Sequence, residues 1–357
     1  MFSLYNYKRL VRNSPRPRTN YIGRVVVLCL WGVLCLGCGG ETQREVVVYT
    51  ALDREFSEPL LEEYRVSSDT TVLAKYDVES TKTVGLVEAL IAEKDRPRCD
   101  LFWNNEILNT IRLQKLGLLT ALKSPHGEEF PSAMRDPAGH WYGFAARLRV
   151  IIVNTKLLKE AEYPKSILQL SDPKWRGRAG LAKPLFGTTA THLAVLFSEW
   201  GEERATEFLR AVLANKTQIL GGNKQVATAV ASGQLAWGLT DTDDALGQIE
   251  AGMPVAIVYP DQEKQGLGVL AIPNTLAILR NCPHPEQARE LREYLLTPRI
   301  ENALAIGPSG QVPLHPQATA TKRIKTLSEL TLQAVDWDKA AEGWPAAMKV
   351  IREVIVE

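Results

Sequence analysis

Short β-branched segments alternate with helical ones along this chain of 357 residues, and this alternation constrains the fold most. Residues 46–49 have the composition of a buried strand, and residues 53–64 follow with apolar side chains at helical spacing. The same rhythm continues to about residue 305. Such a pattern is typical of βαβ units and therefore predicts an α/β fold with a mostly parallel sheet.

The alternation appears in two blocks, which predict two lobes. A strand at 149–154 is expected to cross between them, and the hinge is expected near Arg149 and Gly268. The strand at 269–279 is expected to break at Pro273-Asn274, and the stretch 324–355 is expected to be helical. Mixed, mostly parallel sheets joined by crossover strands would then enclose a ligand cleft, because ligands bind beyond the carboxyl ends of such strands. The predicted boundaries are 45–148 with 269–357 for lobe I and 149–268 for lobe II.

The N-terminus has the pattern of an export signal. Residues 1–37 carry six basic side chains and no acidic one, and an apolar run at 25–36 ends at Gly37-Cys38. The run is shorter than the roughly 20 residues of a membrane span, although a retained anchor helix is the alternative. Residues 38–44 read as a linker. Because the whole chain has a net charge of +1, the remainder is acidic at −5, which argues against a nucleic-acid partner.

Motifs for catalysis are absent from the sequence. It contains no HExxH, no P-loop and no GxSxG motif. The glycines at 266–271 match a dinucleotide fingerprint, but Pro273 prevents a helix from starting there. Cys99 and Cys282 form neither a disulfide framework nor a CxxC site, and the sequence leaves open whether they pair. A binding protein is therefore expected rather than an enzyme, with an exported enzyme on the same scaffold as an alternative.

Polar residues at predicted strand ends and helix starts are the candidate ligand-binding residues. Free backbone N–H groups at 187–189, with hydroxyls beside them, would make an anion cradle. The alternative for several of these residues is a structural role as helix caps or first-turn acids. The candidates are Tyr49, Asp53, Thr81, Lys82, Asn105, Glu106, Gly187, Thr188, Thr189, Asn223, Asp241, Thr242 and Asp243.

Four of these stretches resemble one protein family: VYTALD at 48–53, DLFWNNE at 100–106, PLFGTTAT at 184–191 and GLTDTDD at 238–244. The chain is similar to the ferric-iron-binding family of periplasmic solute-binding proteins, in the two-lobed type II class. The resemblance implies a receptor that closes on its ligand and docks on an ABC permease with a cytoplasmic ATPase. Gly37-Cys38 likewise resembles the lipobox of bacterial lipoproteins, with Cys35 where leucine is usual, and implies lipidation at Cys38.

The ligand implied by the family is ferric iron, but the sequence departs from the family at the usual tyrosine pair. That region reads Asp241-Thr242-Asp243-Asp244. Carboxylates are acceptable ligands for a hard cation, so a carboxylate-rich site remains a hypothesis. Its expected members are Asp53, Glu106, Asp241 and Asp243, helped by Tyr49.

The resemblance also implies a synergistic anion at 187–189 and Asn223, and we expect Lys82 and Arg147 nearby as cations. The alternative cargo is an organic anion such as a phosphonate or a sugar phosphate. No cofactor is expected. The protein is expected to be a monomer outside the cytoplasmic membrane, in the periplasm or on the outer face of the cell, and held there by its lipid.

Overall fold

The computed structural model describes residues 44–77, 83–319 and 321–356. Several predicted features lie outside the described residues: the signal peptide, the predicted lipidation site Cys38, all but the last residue of the linker, Thr81 and Lys82. Within the described part, no helix has both the length and the apolar composition needed to cross a membrane.

Nine strands of the described residues form one mixed sheet in the order β2-β1-β3-β9-β4-β7-β5-β6, with β8 paired to β4. The strands are β1 (Glu45–Thr50), β2 (Thr71–Tyr76), β3 (Leu101–Asn104), β4 (Tyr142–Asn154), β5 (Ala179–Ala182), β6 (Gln218–Leu220), β7 (Trp237–Asp241), β8 (Val255–Val258) and β9 (Ala271–Ile278).

Helices cover the faces of this sheet. They are α1 (Arg54–Ser68), α2 (Val84–Ala92), α3 (Leu108–Lys115), α4 (Gly187–Trp200), α5 (Glu202–Ala214), α6 (Asn223–Ala231), α7 (Thr242–Glu250), α8 (Pro285–Leu295), α9 (Pro298–Ile306) and α10 (Trp337–Val356).

Strand β4 joins two halves of the sheet. Up to Leu148 it pairs with β9, and from Arg149 onward it pairs with β7 and β8. We call β1, β2, β3, β9 and the first part of β4 the first lobe, and β5 to β8 with the rest of β4 the second lobe. The expected two-lobed α/β fold is thus observed. The residue boundaries of the lobes stay a prediction, because α10 packs against α3 as well as against α4 and α5.

Three elements differ from the sequence-based expectation. Strand β4 begins at Tyr142 rather than at 149, and its whole length is buried. Strand β9 continues through Pro273-Asn274, where a break was expected, because Pro273 lies opposite an irregularity in β4. The C-terminal helix begins only at Trp337, since Val269 pairs with the segment around Leu332 instead.

Two hydrophobic clusters form the core and fix where the polar residues emerge. One includes Trp175, Trp237 and the inner face of α10, and the other includes Trp103, Phe144 and Leu291. Strands β1 and β3 are parallel, as are β5 and β7, so their carboxyl ends lie at common edges. The polar residues that follow these strands are therefore brought together between the lobes.

Candidate ligand-binding site

The second lobe contributes a fully buried arginine at the centre of the site. The guanidinium of Arg149 forms a salt bridge of 2.6 Å with Asp241 at the end of β7. It also donates to Thr188 Oγ1 at 3.3 Å, to Thr189 Oγ1 at 3.1 Å and to Asn223 Oδ1 at 3.1 Å. Arg149 therefore ties together the starts of α4 and α6 and the end of β7.

The partners of Arg149 also bond to one another. Thr188 Oγ1 donates to Asp241 Oδ2 at 2.5 Å, and Asn223 Nδ2 donates to the same oxygen at 2.9 Å. Thr189 Oγ1 donates to Asn223 Oδ1 at 3.1 Å. Such a network is rigid because each buried polar group has several partners. Helix α4 enters it through Gly187, whose φ of +59° favours glycine.

Arg147 faces the site from the first lobe and is bonded less completely. Its Nε lies 2.9 Å from Asp243 Oδ2, and its Nη1 donates to the Asn105 carbonyl at 3.4 Å. Its Nη2 is buried and makes no hydrogen bond to any residue that the structure describes. Burial lowers the pKa of Arg147, but the carboxylates of Asp243, Asp241 and Asp53 outweigh it and leave the pKa above its ordinary value. Arg147 thus stays positively charged, and its Nη2 remains a donor without a hydrogen-bond partner among the described residues.

Three carboxylates form a cluster beside these arginines. Single oxygens of Asp241, Asp243 and Asp244 lie within 4.8 Å of one another. Asp241 and Asp243 are buried, and Asp244 is half-buried. Asp243 and Asp244 lie in the first turn of α7, where the helix dipole stabilises negative charge. Oxygen donors at this separation suit a hard metal cation.

One histidine near the network carries no charge at neutral pH. His192 in α4 is buried, and burial together with the charge of Arg149 holds its pKa well below its usual range. His192 therefore adds no positive charge to the site at neutral pH.

Arg147 and the three aspartates line one small cavity between the lobes, with a volume of about 20 Å³, whereas Arg149 and His192 do not line it. Most of the predicted residues meet there. They are Asp53, Asn105, Gly187, Thr188, Thr189, Asn223, Asp241 and Asp243, with Arg147, which was expected nearby.

Three other predicted residues lie away from the cavity. The Tyr49 hydroxyl donates to Glu93 at 3.0 Å. Burial raises the pKa of Tyr49, and the contact with Glu93 raises it further. The carboxylate of Glu106 accepts from the backbone N–H of Leu108 at 2.7 Å and so caps α3. Thr242 Oγ1 accepts from the N–H of Leu148 at 3.2 Å. Each of these side chains is engaged in the fold.

Sequence reasoning assigned Arg149 to the hinge and missed its place in the site. The signal was available, because Arg147 and Arg149 stand two apart in an otherwise apolar strand and so emerge on the same face. Two buried cations on one face need partners, and the aspartates of β7 and α7 supply them. Asp244 and Lys183 also line the cavity.

Comparisons with known proteins agree with this architecture. A family model described as bacterial extracellular solute-binding protein matches residues 109–342. Iron uptake protein A1 of a Synechocystis species is 22% identical over 350 residues, which cover 93% of this chain and 96% of that protein.

Two solved structures show the same fold. Iron-bound HitA from Pseudomonas aeruginosa aligns with a TM-score of 0.79 and 22% identity, over 87% of this chain and 99% of that one. AfuA from Actinobacillus pleuropneumoniae, with exogenous fructose-6-phosphate bound, aligns with a TM-score of 0.76 and 20% identity, over 88% and 99%.

Proposed function

The chain belongs to the family of bacterial extracellular solute-binding proteins, and we propose that its solute is ferric iron held together with a small anion. The observation that carries the proposal is the cluster of Asp241, Asp243 and Asp244, whose oxygens lie within 4.8 Å of one another at the interlobe cavity. Iron(III) is a hard cation, so carboxylate oxygens are suitable ligands in place of phenolates. Asp53 lines the same cavity from the first lobe.

The anion would bind at the start of α4. The backbone N–H groups of residues 187–189 have the positive end of the helix dipole behind them, and this arrangement favours negative charge. Arg147 Nη2 is a further buried donor at this cavity. An anion here would contact both Arg147 and the bound metal, and both positive charges would stabilise it.

The proposed setting is an ABC importer outside the cytoplasmic membrane. The basic and apolar leader at 1–36 followed by Gly37-Cys38 supports export and a lipid anchor at Cys38. The partners are then the permease and its ATPase, to which a monomeric receptor delivers its solute. A solute-binding family accounts for the protein without catalysis.

A second candidate cargo is an organic anion such as a phosphonate or a sugar phosphate. The specific observation in its favour is the unbonded Nη2 of buried Arg147, since guanidinium groups recognise phosphate and carboxylate oxygens with good geometry. The likeness to a structure with fructose-6-phosphate bound supports the same candidate. In this case the aspartates would accept hydrogen bonds from hydroxyl or ammonium groups of the solute.

A melting-temperature screen of residues 39–357 after chelator treatment separates these candidates. The panel contains ferric citrate, ferric iron with carbonate or with phosphate, 2-aminoethylphosphonate and fructose-6-phosphate. A ligand at 100 times its Kd stabilises by about 2.7 kcal/mol, which a melting curve resolves. A shift that needs iron supports the ferric proposal, whereas a shift with an iron-free organic anion replaces it with the second candidate.

Asp243→Asn is the matched variant for that screen. It keeps the shape of the side chain and removes the negative charge that iron would need. We expect the iron-dependent shift to be lost in Asp243→Asn. An undiminished shift would show that the carboxylate cluster does not hold the metal.

A further inference from the structure

Strand β4 contains an irregularity two residues before Arg147. Phe144 lies opposite Asn274 and Ala146 lies opposite Pro273, so Ala145 is an extra residue without a partner on β9. Ala145 is fully buried and has a φ of +43°, in the left-handed region that an alanine rarely adopts. A β-bulge of this kind beside a ligand site redirects the side chains that follow it.

The bulge decides on which face of the sheet Arg147 emerges. With the extra residue, Arg147 lies opposite Ile272. Without it, Ala146 would lie opposite Ile272 and Arg147 opposite Ala271. Because side chains alternate with a period of two, this slip of one residue would turn Arg147 to the other face of the sheet, away from Asp243.

A buried carboxylate holds the bulge in place. Glu301 in α9 is fully buried, and its Oε1 accepts from the N–H of Ala145 at 2.6 Å. Its Oε2 accepts from the N–H of Leu314 at 2.8 Å and from that of His315 at 2.5 Å. Glu301 thus gives the unpaired N–H of Ala145 the partner that β9 cannot provide.

The other backbone groups of the bulge are also bonded. Asn274 Nδ2 donates to the carbonyl of Ala145, and Ala146 exchanges two hydrogen bonds of 2.8 Å with Val312. Strain at Ala145 therefore coincides with complete bonding of its backbone. A left-handed alanine persists when its surroundings fix it, and such strain is concentrated at functional sites.

We propose that Glu301 is a positioning residue for ligand binding, because its carboxylate holds the bulge at Ala145 and the bulge directs the guanidinium of Arg147 into the cleft. Its effect on affinity rests on the proposed function, in which the solute contacts Arg147. Its effect on the direction of Arg147 does not depend on which solute binds.

Crystal structures of Glu301→Gln and of a control test the positioning directly. Glutamine has a single acceptor oxygen and presents an NH₂ group to the backbone donors that Glu301 now satisfies. We expect the 2.9 Å contact between Arg147 Nε and Asp243 Oδ2 to be lost in Glu301→Gln. An unchanged contact in that variant overturns the proposal.

Asp100→Asn is the matched control. Asp100 is an equally buried carboxylate that accepts from the N–H of Val47 at 2.7 Å and from that of His284 at 2.8 Å, without contact with the bulge. Loss of the Arg147 contact in this variant too would show a general effect of buried charge and would overturn the proposal. If Glu301→Gln does not fold, Asn274→Ala removes the bond to the Ala145 carbonyl and is expected to displace Arg147 in the same way.

Calorimetry with ferric citrate then measures the effect on binding. The Kd is expected to rise roughly 10- to 100-fold in Glu301→Gln and in Arg147→Met, as for one hydrogen bond to a charged group. In the double variant no further loss is expected, because both changes remove the same interaction. Additive losses would overturn the proposal. If the wild-type protein binds neither ferric citrate nor ferric iron with carbonate or phosphate, the iron proposal fails, while the crystal structures still decide the role of Glu301.

Discussion

Arg147 and Arg149 stand two residues apart on one strand, yet they differ in their partners and in their position relative to the cavity. Both are at most 2% exposed, and each has an aspartate partner. Arg149 donates to four side chains of the second lobe, which also bond to one another. Arg147 contacts Asp243 of the second lobe and Asn105, and its buried Nη2 has no hydrogen-bond partner among the described residues. Arg149 also has such an atom, Nε, but of the two arginines only Arg147 lines the cavity.

This difference indicates that one arginine holds the fold together, the scaffold side, and that the other can contact the solute, the recognition side. A buried charge that bonds within its own lobe and does not line the cavity holds its neighbours in place but is not in position to contact a solute. A buried charge that lines the cavity with an unused donor carries a desolvation cost that a solute can relieve. We therefore expect Arg149 to matter mainly for folding and Arg147 mainly for affinity.

Arg149→Met tests the scaffold side and should have the largest effect. Removing one partner of a buried ion pair leaves Asp241 uncompensated, which destabilises a protein by about 3–5 kcal/mol. Urea unfolding measures this loss. Lys165→Met is the control, since its exposed pair with Glu263 at 3.9 Å is worth less than about 1 kcal/mol. Equal midpoints for the two variants would contradict a structural role for the Arg149 network.

Arg147→Met tests the recognition side. We expect the Kd of the solute identified by the screen to rise by roughly 10- to 100-fold, because a charge-assisted hydrogen bond is lost. The free energy of unfolding should fall by less than in Arg149→Met. Titration calorimetry at a temperature where both proteins are folded checks the first expectation. A Kd equal to that of the wild type would remove Arg147 from recognition.

The neutral state of His192 makes the scaffold side sensitive to acid. Its pKa is depressed in the folded protein, so the unfolded chain takes up a proton first as the pH falls. The stability that neutral His192 contributes is fully present above about pH 6.5, the pKa of histidine in the unfolded chain. Below that pH the free energy of unfolding falls by up to about 1.4 kcal/mol per pH unit. Unfolding curves from pH 7 to pH 5 measure the slope. His192→Phe should flatten it, and an identical slope in that variant would assign the acid sensitivity elsewhere.

The rim of the cleft should show the smallest effect. Lys224 in α6 lies 3.3 Å from Glu55 in α1, and both side chains are largely exposed. Exposed pairs contribute about 0.2–1 kcal/mol and are screened by salt. Lys224→Met should therefore lower the free energy of unfolding by no more than about 1 kcal/mol. It should also abolish the dependence of stability on salt that comes from this pair. A loss of unfolding free energy in Lys224→Met as large as that in Arg147→Met would show that the rim of the cleft, not its interior, controls the site.

Sequence patterns predicted the sheet and most of the polar residues that meet at the interlobe cavity, because polar residues at strand ends mark the edge where parallel strands finish. They placed Tyr49 and Glu106 in the site, and the structure instead gives these side chains partners that are distant in sequence or lie on the backbone of α3. The bulge at Ala145 also escaped prediction, since its partner Glu301 is 156 residues away. Local patterns carry no information on such pairings.

Helix α10 packs on α3 on one side and on α4 and α5 on the other. A rotation that separates the lobes would therefore change the packing of α10 on at least one of these helices. Interlocked side chains resist small displacements and exchange between discrete packings, with a full helical turn of about 5.4 Å as one natural step. Release of the solute would then require α10 to repack, so that the rate of release would depend on the contacts of this helix as well as on the affinity of the cleft.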